Sequence, residues 1–168
     1  MSTSPFVILT SLAAIASAAV GGMMYVFSTF VMGGLDRTEP VEAITAMRGI
    51  NAEALANAPF MLGFFGAAIL ALVVGVIAMI QLRRPGSWWV LVGAVFGILF
   101  AIITMVFNVP LNKHLDGVNP VGLSAADAAR EWQAYVTTWT NWNHVRTATS
   151  FVAAVLMLIG LSYPLNRG

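Results

Sequence analysis

The chain contains no cysteine. That excludes a disulfide framework, a thiolate metal site and a cysteine nucleophile, and it removes the residue from which a redox compartment is read. Charge is nearly as scarce. Only 9% of the 168 residues are Asp, Glu, Lys or Arg, against about 25% in an average soluble domain. The formal net charge of +1 gives no electrostatic footprint for nucleic acid. What fills the chain instead is apolar: 59% hydrophobic residues and a mean hydropathy of +0.85. A soluble domain of this length keeps too much of its surface in water to hide that many apolar side chains, and an intrinsically disordered chain has the opposite composition. The length suits one domain, residues 1–168.

Where the charges stand says more than how many there are. Residues 1–35, 54–82, 85–112 and 147–166 contain no charged side chain, and together they make up 112 residues. A helix needs about 20 apolar residues to cross the hydrocarbon core. The sequence therefore predicts an all-α polytopic membrane protein, a bundle of four transmembrane helices over residues 6–32, 60–82, 88–107 and 144–163. Strands of a membrane barrel would alternate apolar and polar residues, and the run from Ala67 to Val74 does not. Ala16-Ser17-Ala18 has the small residues of a cleavage site. No basic segment precedes it and the apolar run continues to Phe30, so the first segment reads as an uncleaved span.

Four spans put both termini and the loop at residues 81–87 on one side. Arg83 and Arg84 lie in that loop and Arg167 near the C-terminus, with no acid beside them. The other five Lys or Arg residues and all seven acids lie in or beside the two longer connections. The positive-inside rule then places both termini in the cytoplasm and the long connections outside. Trp88 and Trp89 follow the Arg pair as interfacial anchors.

Lipid tails are as apolar as leucine, so helices in a bilayer associate through small residues that let backbones approach. Ala14, Ala18 and Gly22 recur at four-residue spacing in the first span, Gly63, Ala67, Ala71 and Gly75 in the second, and Gly93 and Gly97 in the third. Such stripes suit contacts within the chain or between copies of it. The nine Met and ten Phe read as adaptable filler.

The two long connections carry helical signals of their own. Pro40 with Glu39 and Glu42 suits a helix start, and Val41, Ile44, Met47 and Ile50 recur about every three residues. An amphipathic helix over residues 40–57 is expected, lying on the membrane or capping the bundle. Ser124-Ala-Ala-Asp127 is a start of the capping-box type. From there Trp132, Tyr135, Trp139, Trp142 and Arg146 fall on one helical face, in a helix that continues into the last span. This stripe is an interfacial belt, a wall for a flat ligand, or core. Asn108 and Asn112 are four apart, yet Pro110 between them predicts that the third span ends or breaks there, its last carbonyls satisfied by the two amides. Thr140-Asn-Trp-Asn-His-Val-Arg-Thr147 stands where the fourth span enters the bilayer. Arg146 there either snorkels to headgroups or joins a site. The topology brings both clusters, with Asn51 and Glu53, to one membrane face, where a pocket between helices would open.

At these residues the sequence resembles a known group. Ala46-Met-Arg-Gly-Ile-Asn51, Asn108-x-Pro-x-Asn112 and Trp139-x-x-Trp-Asn-His-x-Arg-Thr147 together look like the anthrone oxygenase-like family of small four-helix membrane proteins. The likeness spans about residues 10–162. It implies conversion of a polycyclic anthrone to an anthraquinone by dioxygen, with neither metal nor flavin as cofactor. A base removes the acidic C–H proton, a donor steadies the enolate, and the anion reacts with dioxygen. Under that resemblance His144 or His114 is the candidate base. Arg146, Asn108 and Asn112 are candidate donors, and Trp139 and Trp142 stack the rings. Asn51, Asn143 and His114 complete the ligand-facing set. The membrane implied is the bacterial cytoplasmic membrane.

A non-catalytic module is the competing reading: a subunit that binds a lipid or quinone, or an assembly partner, with no enclosed pocket and polar residues that only cap helices. A metal site built from His114 and His144 with Asp116, Glu53 or Asp127 lacks HxxxH or ExxH spacing. A transport pathway normally places ionisable residues deep within spans. The expected partners are thus the bilayer and a lipophilic small molecule.

Overall fold

The structure, a computed structural model, describes residues 4–163. Arg167, one of the charges used to orient the chain, lies outside them. Five helices follow one another: α1 Pro5–Leu35, α2 Pro40–Ala56, α3 Ala58–Ile80, α4 Ser87–Gly117 and α5 Ala125–Ser162. A single 3-10 turn, Pro120–Gly122, stands between α4 and α5, and there is no strand among the described residues. Helices α1, α3, α4 and α5 are each long and apolar enough to cross a membrane. The chain is an integral membrane protein built as a four-helix bundle, with α2 as a shorter fifth helix across one end.

Local chemistry sets the helix starts. Pro40 opens α2 with Glu42 in its first turn. Asn57 caps α3 by accepting from the Phe60 amide at 3.0 Å. Ser124 caps α5, its Oγ accepting from the Asp127 amide at 3.2 Å, as its sequence signature indicates. Gly86 takes a left-handed φ of 84° at the turn into α4, a conformation that glycine adopts without steric cost.

In the membrane half, helices pack through small residues. A Cβ on Gly97 would lie 2.8 Å from Ala71 Cβ, one on Gly75 2.9 Å from Ala94 Cβ, and one on Gly93 3.0 Å from the Ala153 carbonyl. These contacts lock α3 to α4 and α4 to α5. Two of the expected small residues do not take part. Gly22 and Gly63 face open space, and on α1 the close approach is made at Gly21, against Ser150 and Phe151. The buried stripe of α1 is Ala13, Ala14, Ser17, Val20, Gly21 and Met24: Ala14 is in it as expected, while Ser17 and Gly21 take the places expected for Ala18 and Gly22.

Beyond the apolar slab, α2 packs on the first half of α5 and the end of α4. Ala43, Ile44 and Met47 join Met32, Leu115, Trp132, Tyr135, Val136 and Trp139 in one buried cluster. Helix α2 therefore caps the bundle. Trp132 Nε1 donates to Asp36 Oδ1 at 2.8 Å and Arg48 Nη1 to the Val118 carbonyl at 2.8 Å, which ties the cap to both long connections.

The third span does not end at Pro110. Helix α4 runs unbroken to Gly117, through a π turn at Thr104–Asn108. The widened turn falls just before the proline, where a regular helix would lose a hydrogen bond to its missing N–H and clash with its ring. Helix α1 has a matching π turn at Phe27–Val31. Both turns lie near the ends of the uncharged runs, and both face the same stretch of α5.

Candidate functional site

Residues 139–147 of α5 lie where the slab meets the cap. Asn143 is fully buried and is the hub. Its Nδ2 donates to the Met24 carbonyl and to Ser28 Oγ, both at 2.6 Å, so it holds α1 at its π turn. Its Oδ1 accepts from Arg146 Nη2 at 2.6 Å. Arg146 Nη1 reaches Thr104 Oγ1, the first residue of the other π turn, at 3.4 Å. Its guanidinium carbon lies 4.9 Å from the centre of the Trp139 ring. Arg146 is only 4% exposed. No carboxylate pairs with it among the described residues, and its Nε has no hydrogen-bond partner. A buried cation without a counter-ion is costly, by several kcal/mol even after relaxation, on the order given for single buried ions. The ring of Trp139 and the amide of Asn143 offset part of that cost. Arg146 does not snorkel.

Next to Arg146 a cleft of about 940 Å³ opens among all five helices. Its walls are mainly apolar: Met23, Met24 and Phe27 of α1, Met47 and Ile50 of α2, Phe60 and Phe64 of α3, and Met105 and Val109 of α4. Trp139, Arg146, Thr104, Asn51 and Asn112 supply polar or aromatic surface inside, and Glu53, Lys113 and Asp116 stand at the rim. Asn112 Oδ1 accepts from Tyr135 Oη and from Trp139 Nε1, both at 2.9 Å. Those bonds fix the indole and leave the amide's own donors over. Asn51 is buried and its Nδ2 has no hydrogen-bond partner.

The structure brings together four of the nine residues singled out from sequence: Asn51, Asn112, Trp139 and Arg146 line the cleft. Asn143 supports it from behind. Asn108 is buried against α5, donating from Nδ2 to the Trp139 carbonyl at 3.2 Å. Neither Asn108 nor Asn112 caps the end of α4, because the helix continues past both. Trp142 does not line the cleft; it is stacked on Phe107 of α4 with ring centres 3.5 Å apart. Both histidines lie away from the cleft: His144 is exposed, and His114 is exposed and paired with Glu131 at 3.0 Å. Trp132 and Tyr135 belong to the cap's core, so the aromatic stripe divides into core, cleft wall and outer face. No group of three or more His, Asp or Glu side chains converges among the described residues.

The sequence reading missed Thr104, Ser28 and the lining from α1 and α3. The lining residues are apolar and look like ordinary span. Ser28 and Thr104 carry meaning only through the π turns, and a π turn leaves no pattern in a single sequence.

No curated protein and no solved structure gives a match. Residues 59–156 match the family model described as anthrone oxygenase. That segment contains all of α3 but its first residue, all of α4, and α5 through the Trp139–Arg146 wall, and it covers more than half of the chain. The chain belongs to the anthrone oxygenase family.

Proposed function

We propose that the protein oxidises a flat, lipid-soluble aromatic ketone with dioxygen, in the cleft beside Arg146. One observation carries the reading: a buried guanidinium with no carboxylate partner among the described residues lies over a tryptophan ring in the wall of a large apolar cleft. Such a cation complements a ligand that develops negative charge on one oxygen while the rest of it stays apolar.

An anthrone fits that description. With its carbonyl oxygen on the Arg146 guanidinium, loss of a ring C–H proton leaves an enolate whose charge falls on that oxygen. Donors placed this way typically contribute about 3 kcal/mol to such a step. The base is assigned to the rim carboxylates Glu53 and Asp116, acting directly or through water, since neither histidine reaches the cleft. The enolate carbon then bonds to dioxygen. The resulting hydroperoxide loses water as the second carbonyl forms. Overall the CH₂ group and O₂ give C=O and H₂O, and the four electrons that leave carbon reduce the two oxygen atoms. Asn112 Nδ2 is a second donor toward the ring oxygens, and Trp139 is the stacking surface.

A module whose polar residues only cap helices would have no such cleft. Under the charge rule the cap and the cleft face away from the cytoplasm. The test is oxygen uptake by membranes that contain the protein, supplied with 1,8-dihydroxyanthrone. The reading expects quinone formation at one O₂ per quinone, faster than in membranes lacking the protein and slowed on the order of 100-fold by Arg146→Met. Equal quinone formation with and without the protein would remove it.

A further inference from the structure

We propose that the cleft is loaded sideways from the hydrocarbon of the bilayer, through a gap between α3 and the distal part of α4. This rests on the cleft being a ligand site and adds the route and the class of molecule that can take it. Below its π turn α4 packs on α3, through Gly97 against Ala71 and Ala94 against Gly75. Beyond the turn it packs chiefly on α5 and on α2. The distal part of α4 therefore parts company with α3, and the cleft fills the space between them.

Met105, Val109, Asn112, Lys113 and Asp116 of α4 all line the cleft. Their separations of 4, 3, 1 and 3 residues put them on one helical face. That stripe starts apolar and ends charged, so the cleft has two different ends. Met105 is 53% exposed and Leu55 69% exposed although both line the cleft. Side chains that are at once lining and exposed mark where the cleft meets the surface. Around Met105 and the half-buried Met61 and Phe65, the neighbouring exposed residues are Leu62, Ile102 and Val106. Every one is apolar, and the flanking stretches 54–82 and 85–112 contain no charge. This mouth lies in the lipid-facing belt. The other end, at Glu53, Lys113 and Asp116, lies in the polar layer and suits the passage of protons and water.

A molecule that uses the apolar mouth is uncharged and flat, and it is concentrated in the membrane before it binds. Charge then appears on it only after it reaches Arg146.

The test uses the full chain in phospholipid vesicles, with trifluoromethyl-phenyl-diazirine dissolved in the hydrocarbon as a small aromatic photoprobe that reacts with any side chain it touches. Adducts are mapped by peptide mass. In the wild-type protein we expect labelling of Met24 and Trp139 inside the cleft as well as of Ile69 and Leu72 on the outer face. Met105→Trp, a plug at the apolar mouth, is expected to lower the inner labelling about tenfold and to leave Ile69 and Leu72 unchanged. Asp116→Trp, a plug at the polar mouth, leaves both sets unchanged. Labelling of the outer face alone in the wild type overturns the proposal, and so does loss of inner labelling in Asp116→Trp but not in Met105→Trp. Failure to oxidise an anthrone would remove the catalytic reading and leave this labelling pattern untouched.

Discussion

Replacing Arg146 by methionine separates a site from a scaffold. The native guanidinium is 4% exposed, bonded to Asn143 at 2.6 Å and weakly to Thr104 at 3.4 Å, and stacked 4.9 Å from Trp139. Methionine fills much of the same volume and lies on the indole through sulfur. The change gives up a charge-assisted hydrogen bond and a buried cation–π contact, together about 3–5 kcal/mol. It also leaves Asn143 Oδ1 unpaired, at roughly 1–3 kcal/mol. Against these stands the relief of a buried, uncompensated charge, several kcal/mol by the usual order of magnitude. The terms nearly cancel. The variant is expected to unfold within about 2 kcal/mol of the wild type in chemical denaturation. Affinity for a ligand that carries an ionised oxygen has no such compensation, and loss of a charge-assisted bond there costs about 10- to 150-fold. Denaturation followed by circular dichroism, beside titration of tryptophan fluorescence with a hydroxyanthraquinone, measures both quantities on one preparation. If the variant unfolds far more easily yet keeps its affinity, Arg146 is a structural pin and the argument from its missing counter-ion is wrong.

Asn143→Ala removes both bonds to α1 and the only strong partner of Arg146. It is expected to destabilise the fold by about 2–4 kcal/mol and to weaken ligand binding as well, read by the same two assays. His144→Ala and His114→Ala, alone or together, are expected to keep quinone formation within about twofold, because an exposed pair such as His114–Glu131 contributes little; a loss of activity in steady-state assays would restore a histidine as the base. Gly97→Ala pushes a methyl into Ala71 at 2.8 Å and should cost about 1–3 kcal/mol by overpacking. Gly22→Ala meets open space and should be neutral in thermal unfolding.

The spans were legible because charge is excluded from hydrocarbon whatever the helices do there. Residues 54–82 and 85–112 give α3 and the core of α4 almost to the residue. The capping signals at Ser124 and Pro40 are local, so they too could be read. The length of α4 could not, whereas α1 matches its expected span to within three residues. Helix α4 runs through a π turn that packs against α5, and Pro110 counts as a breaker only for a regular helix. On α1 the expected Ala14 is buried, but Ala18 and Gly22 each miss the packed position by one residue, because facing side chains decide which small residue is the close one. Phe151 and Ser150 select Gly21. In the site, Arg146, Trp139, Asn112 and Asn51 were found because polar groups at a span boundary are rare enough to stand out. The same rule flags His144, which lies on the exposed face of α5, and Trp142, which stacks on Phe107 instead of lining the cleft, since rarity does not report direction. The cleft itself, walled by methionines and phenylalanines of α1, α3 and α4, has no signature in a chain where such residues are everywhere.

The central claim is that Arg146 is the anchor for an oxygen atom of a flat aromatic ligand in the cleft. An experimental structure of the protein in lipid nanodiscs, determined with 1,8-dihydroxyanthraquinone bound, tests it most directly. The account predicts density for the ring system beside Trp139, between α3 and α4, with one oxygen within hydrogen-bond distance of the Arg146 guanidinium. Ligand density elsewhere, or a guanidinium paired with a carboxylate of the chain in the bound state, would contradict it.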